Sequence, residues 1–121
     1  MTQSVIPKHE SLEVEFKSDR DCLNDDDLVE ALICLANAQG GTLYLGVEND
    51  AAHTGLHISR PADMSSLAAL VANRTAPRLQ VHVQELLVAG VRAAAIAARL
   101  DMSAGRLLCK PVGVASFSMP R

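Results

Sequence analysis

In the stretch SLEVEFKSD, Leu12, Val14 and Phe16 alternate with Glu13, Glu15 and Lys17. A period of two is that of a half-buried strand, because successive side chains of an extended backbone point to opposite faces. The polar face of this first strand carries two carboxylates and an amine. The period changes after Cys22. Asn24 to Asp27 supply N-caps and acids for the positive end of a helix dipole, and Leu28, Leu32, Leu35 and Ala36 follow at helical spacing. The spacing predicts a helix over about 26–38. Ala31, Ile33 and Cys34 are apolar too, so little of its circumference beyond the first turn suits water; the helix is expected to pack on a sheet, with Cys34 in the core.

In NAQGGTLYLGV, Gly40 and Gly41 stand between that helix and a run rich in strand-favouring residues. A phosphate cradle runs strand, glycines, helix, so that amide groups and the positive helix end face the anion. Here the order is reversed, and the helix would present carbonyl oxygens and its negative end. The pair therefore reads as a hinge, with a left-handed C-cap that glycine adopts at little cost. VENDAAHTGLHI reads as a turn and a return strand. RPADMSSLAALVANRTAPRL predicts a second helix: Asp63 or Ser65 can cap it, Leu67, Leu70 and Val71 share a face, and Pro77 pushes Ala76 out of helical geometry. Leu79, Val81 and Val83 alternate with Gln80, His82 and Gln84 as a further strand. In ELLVAGVRAAAIAARL the alanines favour helix, whereas Gly90 between two apolar runs favours a hairpin, which is the reading adopted. The tail offers one short candidate strand at Val112 to Phe117.

At 121 residues the chain is long enough for one domain and one core. With no Trp, one Tyr and two Phe, that core must be filled by Ala, Leu and Val. A net charge of -3 argues against coating nucleic acid by unspecific electrostatics and leaves room only for a local basic patch. Cys22, Cys34 and Cys109 are odd in number and widely spaced, which indicates neither a disulfide framework nor a zinc ribbon and suits a reducing cytoplasm. The N-terminus lacks the apolar core of a signal peptide, and no run approaches the roughly 20 apolar residues of a membrane span. A cytoplasmic protein with no membrane association is expected.

Carboxylates carry the clearest candidate chemistry. Glu10, Glu13 and Glu15 cluster before and on the first strand, and Glu48 and Asp50 follow TLYLGV. If the two strands pair, their ends could converge on a hard cation such as Mg²⁺ or Mn²⁺, which takes oxygen ligands and can activate water for phosphodiester cleavage. Spacing alone equally describes solvated acids on an outer face. Glu10 and Glu15 differ by five and would face opposite sides of one strand, so a shared site requires Glu10 in a lead-in loop, which Pro7 favours. His53 and His57 lack a third ligand at zinc spacing; His9 and His82 are isolated. Lys17, Arg20, Arg60, Arg74 and Arg78 could line one surface or be solvated scatter.

The succession ESLEVEFK, an acidic helix ending ALICLANAQGGTLYLGVEND, then TGL, then a helix running into APRLQVHV resembles the Schlafen AlbA-like domain. That family's pattern is E-S-x-x-x-E-F-K, a helix, A-N-x-x-G-G-x-L-x-x-G-V, an acidic turn and G-L. The likeness covers about Glu10 to Leu100. It implies a single α+β domain with a mixed or antiparallel sheet and two main helices, its core at about 10–100 and a C-terminal extension at 101–121. It also favours strand for GVRAAAIAARL. Such domains are described as DNA-binding modules that stand before other regions in predicted bacterial transcriptional regulators, and this chain stops where such regions would begin. The first functional expectation is accordingly a nucleic-acid-binding domain, for DNA or RNA, with Lys17, Arg20, Arg74 and Arg78 as phosphate contacts. In eukaryotic Schlafen proteins the same kind of domain is a metal-dependent endoribonuclease acting on tRNA and rRNA. By position its carboxylates fall on Glu10, Glu15 and either Glu48 or Asp50, which would hold Mg²⁺ or Mn²⁺. The departure is at Glu48, where the family usually has Asp. A third expectation is an interaction module that pairs exposed strands, including with a second copy as a homodimer.

Overall fold

The computed structural model describes residues 6–99 and the backbone of 108–109. Strand β1 (Val14–Lys17) leads to helix α1 (Asp25–Ala38), β2 (Gly41–Leu45), α2 (Ser65–Asn73), β3 (Thr75–Ala76), β4 (His82–Val88), β5 (Val91–Ala98) and β6 (Leu108–Cys109). The main sheet has the order β1-β2-β5-β4. β1 and β2 are parallel, as the α1 crossover requires, and the other pairs are antiparallel. β3 and β6 form a separate antiparallel pair. The expectation of one α+β domain with a mixed sheet and two helices holds. Among the described residues no helix is long and apolar enough to cross a membrane. The candidate strand at Val112 to Phe117 lies outside the described residues.

The helix α1 starts where the caps place it: Asn24 Oδ1 accepts the Asp27 amide at 2.8 Å, and three acids fill the first turn. It ends at the double glycine, with the Gly40 amide donating to Leu35 O at 2.8 Å and Gly40 at φ +86°. Gly41 answers a different need. A Cβ there would lie 2.5 Å from the Glu13 carbonyl oxygen, so β1 can approach only a bare backbone. The two glycines are thus a hinge, one for turning and one for close strand packing.

Two cores lie on the two faces of the sheet. The register aligns Leu43 with Ile96 and Val83, and these residues pack with Leu45 and Ala94 against Leu28, Leu32, Leu35, Met64, Leu67 and Val71 of the helical layer. The opposite face gathers Ile6, Phe16, Val47, Leu86 and Ala93, with Tyr44 edge-on to Phe16 at 6.1 Å between ring centroids. The β4–β5 hairpin forms as expected, turning through Ala89 and Gly90, both at positive φ.

Five local expectations are corrected. Leu12 does not join the buried face of β1; a tight turn bridges Ser11 and Val14, and Leu12 is 79% exposed. Cys34 is exposed, because α1 keeps a solvent stripe through Glu30 and Cys34 opposite its Leu face. No return strand follows Glu48; the chain makes one isolated bridge, Val47 with His53, and then loops over the sheet. Neither Asp63 nor Ser65 is the N-cap of α2, which is Met64, although Asp63 Oδ1 does accept the Ser65 amide at 2.9 Å. Finally, Leu79 and Val81 precede β4 rather than opening it. Leu79 is buried and its amide donates to Thr75 Oγ1 at 2.7 Å, so this segment follows a side-chain partner instead of the sheet.

Candidate functional site

Because β1 and β2 run parallel, the segments that follow them leave the sheet at the same end. The Gly46 amide extends the ladder to Lys17 O at 2.9 Å, and beyond it Glu48 meets Ser18 and Arg20. Glu48 accepts hydrogen bonds from the hydroxyls of Thr54 and Ser18; with the nearby Arg20 charge these outweigh the repulsion from Asp50 and hold its carboxyl below the usual range. Asp50 Oδ1 accepts the Ala52 amide at 3.0 Å and fixes the turn. Arg20, Glu48, Asn49, Asp50, Ala52 and Thr54 line a shallow depression of about 450 Å³. Glu48 and Asp50 thus meet the residues that follow β1, Ser18 and Arg20, rather than the carboxylates Glu10, Glu13 and Glu15 that precede and lie on it.

Glu10 lies in the lead-in loop, folded back so that its Oε1 accepts the Phe16 amide at 3.0 Å. Glu15 points to the α1 side of β1, 3.5 Å from Lys17 Nζ. Glu15 and Lys17 line a groove of about 460 Å³ with Asp27, Glu30 and Cys34 of α1. Glu10, Glu15 and Glu48 are each committed to a different partner. Among the described residues no three His, Cys, Asp or Glu side chains gather as a metal would require. As arranged, these carboxylates do not fit a divalent cation, which needs several oxygens converging on one point.

The cations are distributed unevenly. Arg74, at the end of α2, reaches across to the first turn of α1, with Asp26 at 2.8 Å and Asp25 at 3.6 Å. Lys17 is held by Glu15, and Arg20 lies beside Glu48. Arg78 is exposed and has no partner among the described residues.

Arg60, which the sequence offered as a surface cation, is instead the buried half of an ion pair. Asp19, fully buried, accepts from Arg60 Nε at 2.9 Å, Arg60 Nη2 at 2.8 Å, and the Leu23 and His57 amides at 2.8 Å each. Arg60 also donates to Leu23 O at 2.9 Å. Burial pushes the Asp19 carboxyl up, but Arg60 and the two amides together bring it below the ordinary aspartate value. This clamp ties the β1–α1 loop to the loop before α2 and so steadies Ser18 and Arg20 beside Glu48. Its members are 41 residues apart, and no periodicity marks such a pair.

Residues 10–105 match the family model described as Schlafen, AlbA_2. The N-terminal domain of a protein from Nitrosomonas europaea, named for a relation to the ATP-dependent DNA helicase RecG, aligns at a TM-score of 0.62 and 21% identity, over 93% of this chain and 79% of that one. A crystallised protein from Corynebacterium diphtheriae aligns at a TM-score of 0.56 and 24% identity, over 84% of this chain. The alignment spans only 25% of that longer protein. At these identities the two structures share the fold. No curated protein matches the chain.

Proposed function

Since the chain belongs to the Schlafen AlbA_2 family, we propose that it is a nucleic-acid-binding domain, in its narrower form the DNA-binding part of a cytoplasmic transcriptional regulator. The RecG-related name of the Nitrosomonas europaea protein supports the broader reading. The observation that carries it is the exposed guanidinium of Arg78, which no carboxylate among the described residues neutralises, since phosphate recognition needs available cations. Lys17, Arg20 and Arg74 are further proposed contacts, each of which would exchange a neighbouring carboxylate for a phosphate.

With so few available cations the binding is expected to be weak and to fall only moderately with salt. Two neutralised phosphates correspond to a loss of about tenfold in affinity between about 50 and about 200 mM salt. Filter binding of labelled duplex DNA and of single-stranded RNA across that range checks this, and no retention at the lowest salt overturns the reading.

The carboxylate arrangement leads to a second expectation. Incubated with Mn²⁺, tRNA should remain intact. Cleavage that Glu15→Ala abolishes would instead establish a nuclease whose Glu10, Glu15, Glu48 and Asp50 regroup around the ion and the RNA.

A further inference from the structure

The described cations fall into two groups according to their neighbours. Lys17, Arg60, Arg74 and Arg92 are paired with Glu15, Asp19, Asp25 with Asp26, and Glu85, and Arg20 sits beside Glu48. Lys8, Arg78 and Arg99 have no partner among the described residues. Of these three, Arg99 lines a cavity.

That cavity, of about 290 Å³, lies at the end of the sheet where β2 begins and β5 ends, opposite the end from which the chain leaves β2 toward Glu48. Among the described residues its lining is Gly41, Thr42, Gln80, His82, Ala97, Ala98 and Arg99, none of them a carboxylate. The register explains the shape. Thr42, Ala97 and His82 form one row across β2, β5 and β4, so they share a face of the sheet. Adjacent strands lie about 4.8 Å apart, which puts the Thr42 and His82 backbones about 10 Å apart, with only the alanine methyl between them. The floor is low and the walls are polar.

The walls also have matching chemistry. Arg99 offers a fork of guanidinium N–H groups, Gln80 an amide, Thr42 a hydroxyl and His82 a ring N–H, each able to donate. Gln80, His82 and Arg99 are exposed, and none of the four makes a side-chain hydrogen bond among the described residues. A concave site whose described lining offers several unused donors, one fixed positive charge and no carboxylate selects an anion with several acceptor oxygens. Arg78 stands two residues before Gln80 in the chain, is exposed and has no partner among the described residues.

We infer that Arg99, His82, Gln80 and Thr42 form a phosphate-binding site. On the nucleic-acid reading above, that phosphate is one of the backbone phosphodiesters, and Arg78 meets a neighbouring one. The site lies outside all four carboxylates that the family likeness brings forward, and it includes neither Lys17 nor Arg74.

Two measurements on the 121-residue chain separate this inference from the reading it rests on. In the first, pyrophosphate is titrated while amide chemical shifts are followed; Thr42, Gln80, His82 and Arg99 should move together, and the shifts should vanish in Arg99→Gln. In the second, oligonucleotide affinity is measured across salt. Arg99→Gln should bind about tenfold more weakly at low salt, the effect of one charged hydrogen-bonding contact. Its slope of log affinity against log salt should also be shallower by about 0.9. Arg92→Gln, which removes a cation already paired with Glu85 and outside every proposed contact, should change affinity less than about twofold. If oligonucleotide binds and Arg99→Gln leaves both affinity and slope unchanged, the site is overturned and the nucleic-acid reading stands. If pyrophosphate moves these amides but no oligonucleotide binds, the site stands and the nucleic-acid reading falls. If neither ligand binds, both are overturned. Arg99 is exposed, and an amide spectrum of Arg99→Gln matching wild type away from the cavity verifies that the variant is folded.

Discussion

Asp19→Ala is expected to lose about 3–5 kcal/mol of folding stability, the cost of leaving a buried charge without its partner. The substitution strands the Arg60 guanidinium, whose side chain is 8% exposed, and leaves the Leu23 and His57 amides without their acceptor. Urea unfolding at neutral pH measures the loss, and a midpoint equal to wild type would remove the clamp from this account. A double variant, Asp19→Leu with Arg60→Met, should recover much of it, because replacing both ions by apolar groups avoids their desolvation. The pH dependence follows from the direction of the shift. The folded-state value of Asp19 lies below its unfolded value, so its contribution is fully present above the unfolded value, about 3.9. It is lost as the pH falls through the folded-state value. The stability gap between wild type and Asp19→Asn should therefore be full at pH about 6 and should close progressively below about 4.

Gly41→Ala is expected to cost about 3 kcal/mol, combining forced strand displacement with a weakened ladder hydrogen bond. The atoms that a methyl would meet are the backbone of Glu13, at 2.5 Å for the carbonyl oxygen and 2.9 Å for the carbonyl carbon and Cα. None of them can rotate away as a side chain can. The same carbonyl accepts the Thr42 amide at 2.9 Å, so moving β1 aside breaks the first rung between the two parallel strands. Thermal unfolding followed by circular dichroism checks this. An unchanged transition would mean that β1 and β2 are further apart than described. The loss should extend to function, because β1 positions Ser18 and Arg20 against Glu48, and Thr42 also lines the proposed phosphate site.

Much of the architecture could be read from local signals. Asn24 and the acids after it marked the start of α1, the double glycine marked its end, and Gly90 marked the hairpin that proved decisive for the alanine-rich run. These features act over a few residues and leave a trace in spacing. The misread positions depend on partners far along the chain. Alternation points Leu12 inward, but a turn at Ser11 ends the period before it can bury the residue. Cys34 looked like core because its neighbours are apolar, yet burial of α1 is decided by which stripe meets the sheet. Arg60 looked like a surface cation because its partner Asp19 lies two elements earlier. The functional residues divide in the same way. The family pattern pointed to Glu10, Glu15, Glu48 and Asp50, and the structure groups only the last two, with Arg20. Gln80, His82 and Arg99 carried no motif, since what joins them is strand register.

Strand β5 has five alanines among its eight residues, and it lies between β2 and β4. Alanine prefers helix, so the segment has no strong local reason to be extended. It becomes a strand because β4, reached through a tight turn, and β2, some fifty residues earlier, hold it on both edges. Order in the centre of the sheet therefore depends on closing a long loop first, an entropic cost that slows folding and makes it cooperative. Local preference and final structure disagree at the one element that every other strand of the main sheet depends on, directly or through β2, a concentrated instance of frustration. During synthesis the chain cannot settle its centre piecemeal; it must wait for its edges.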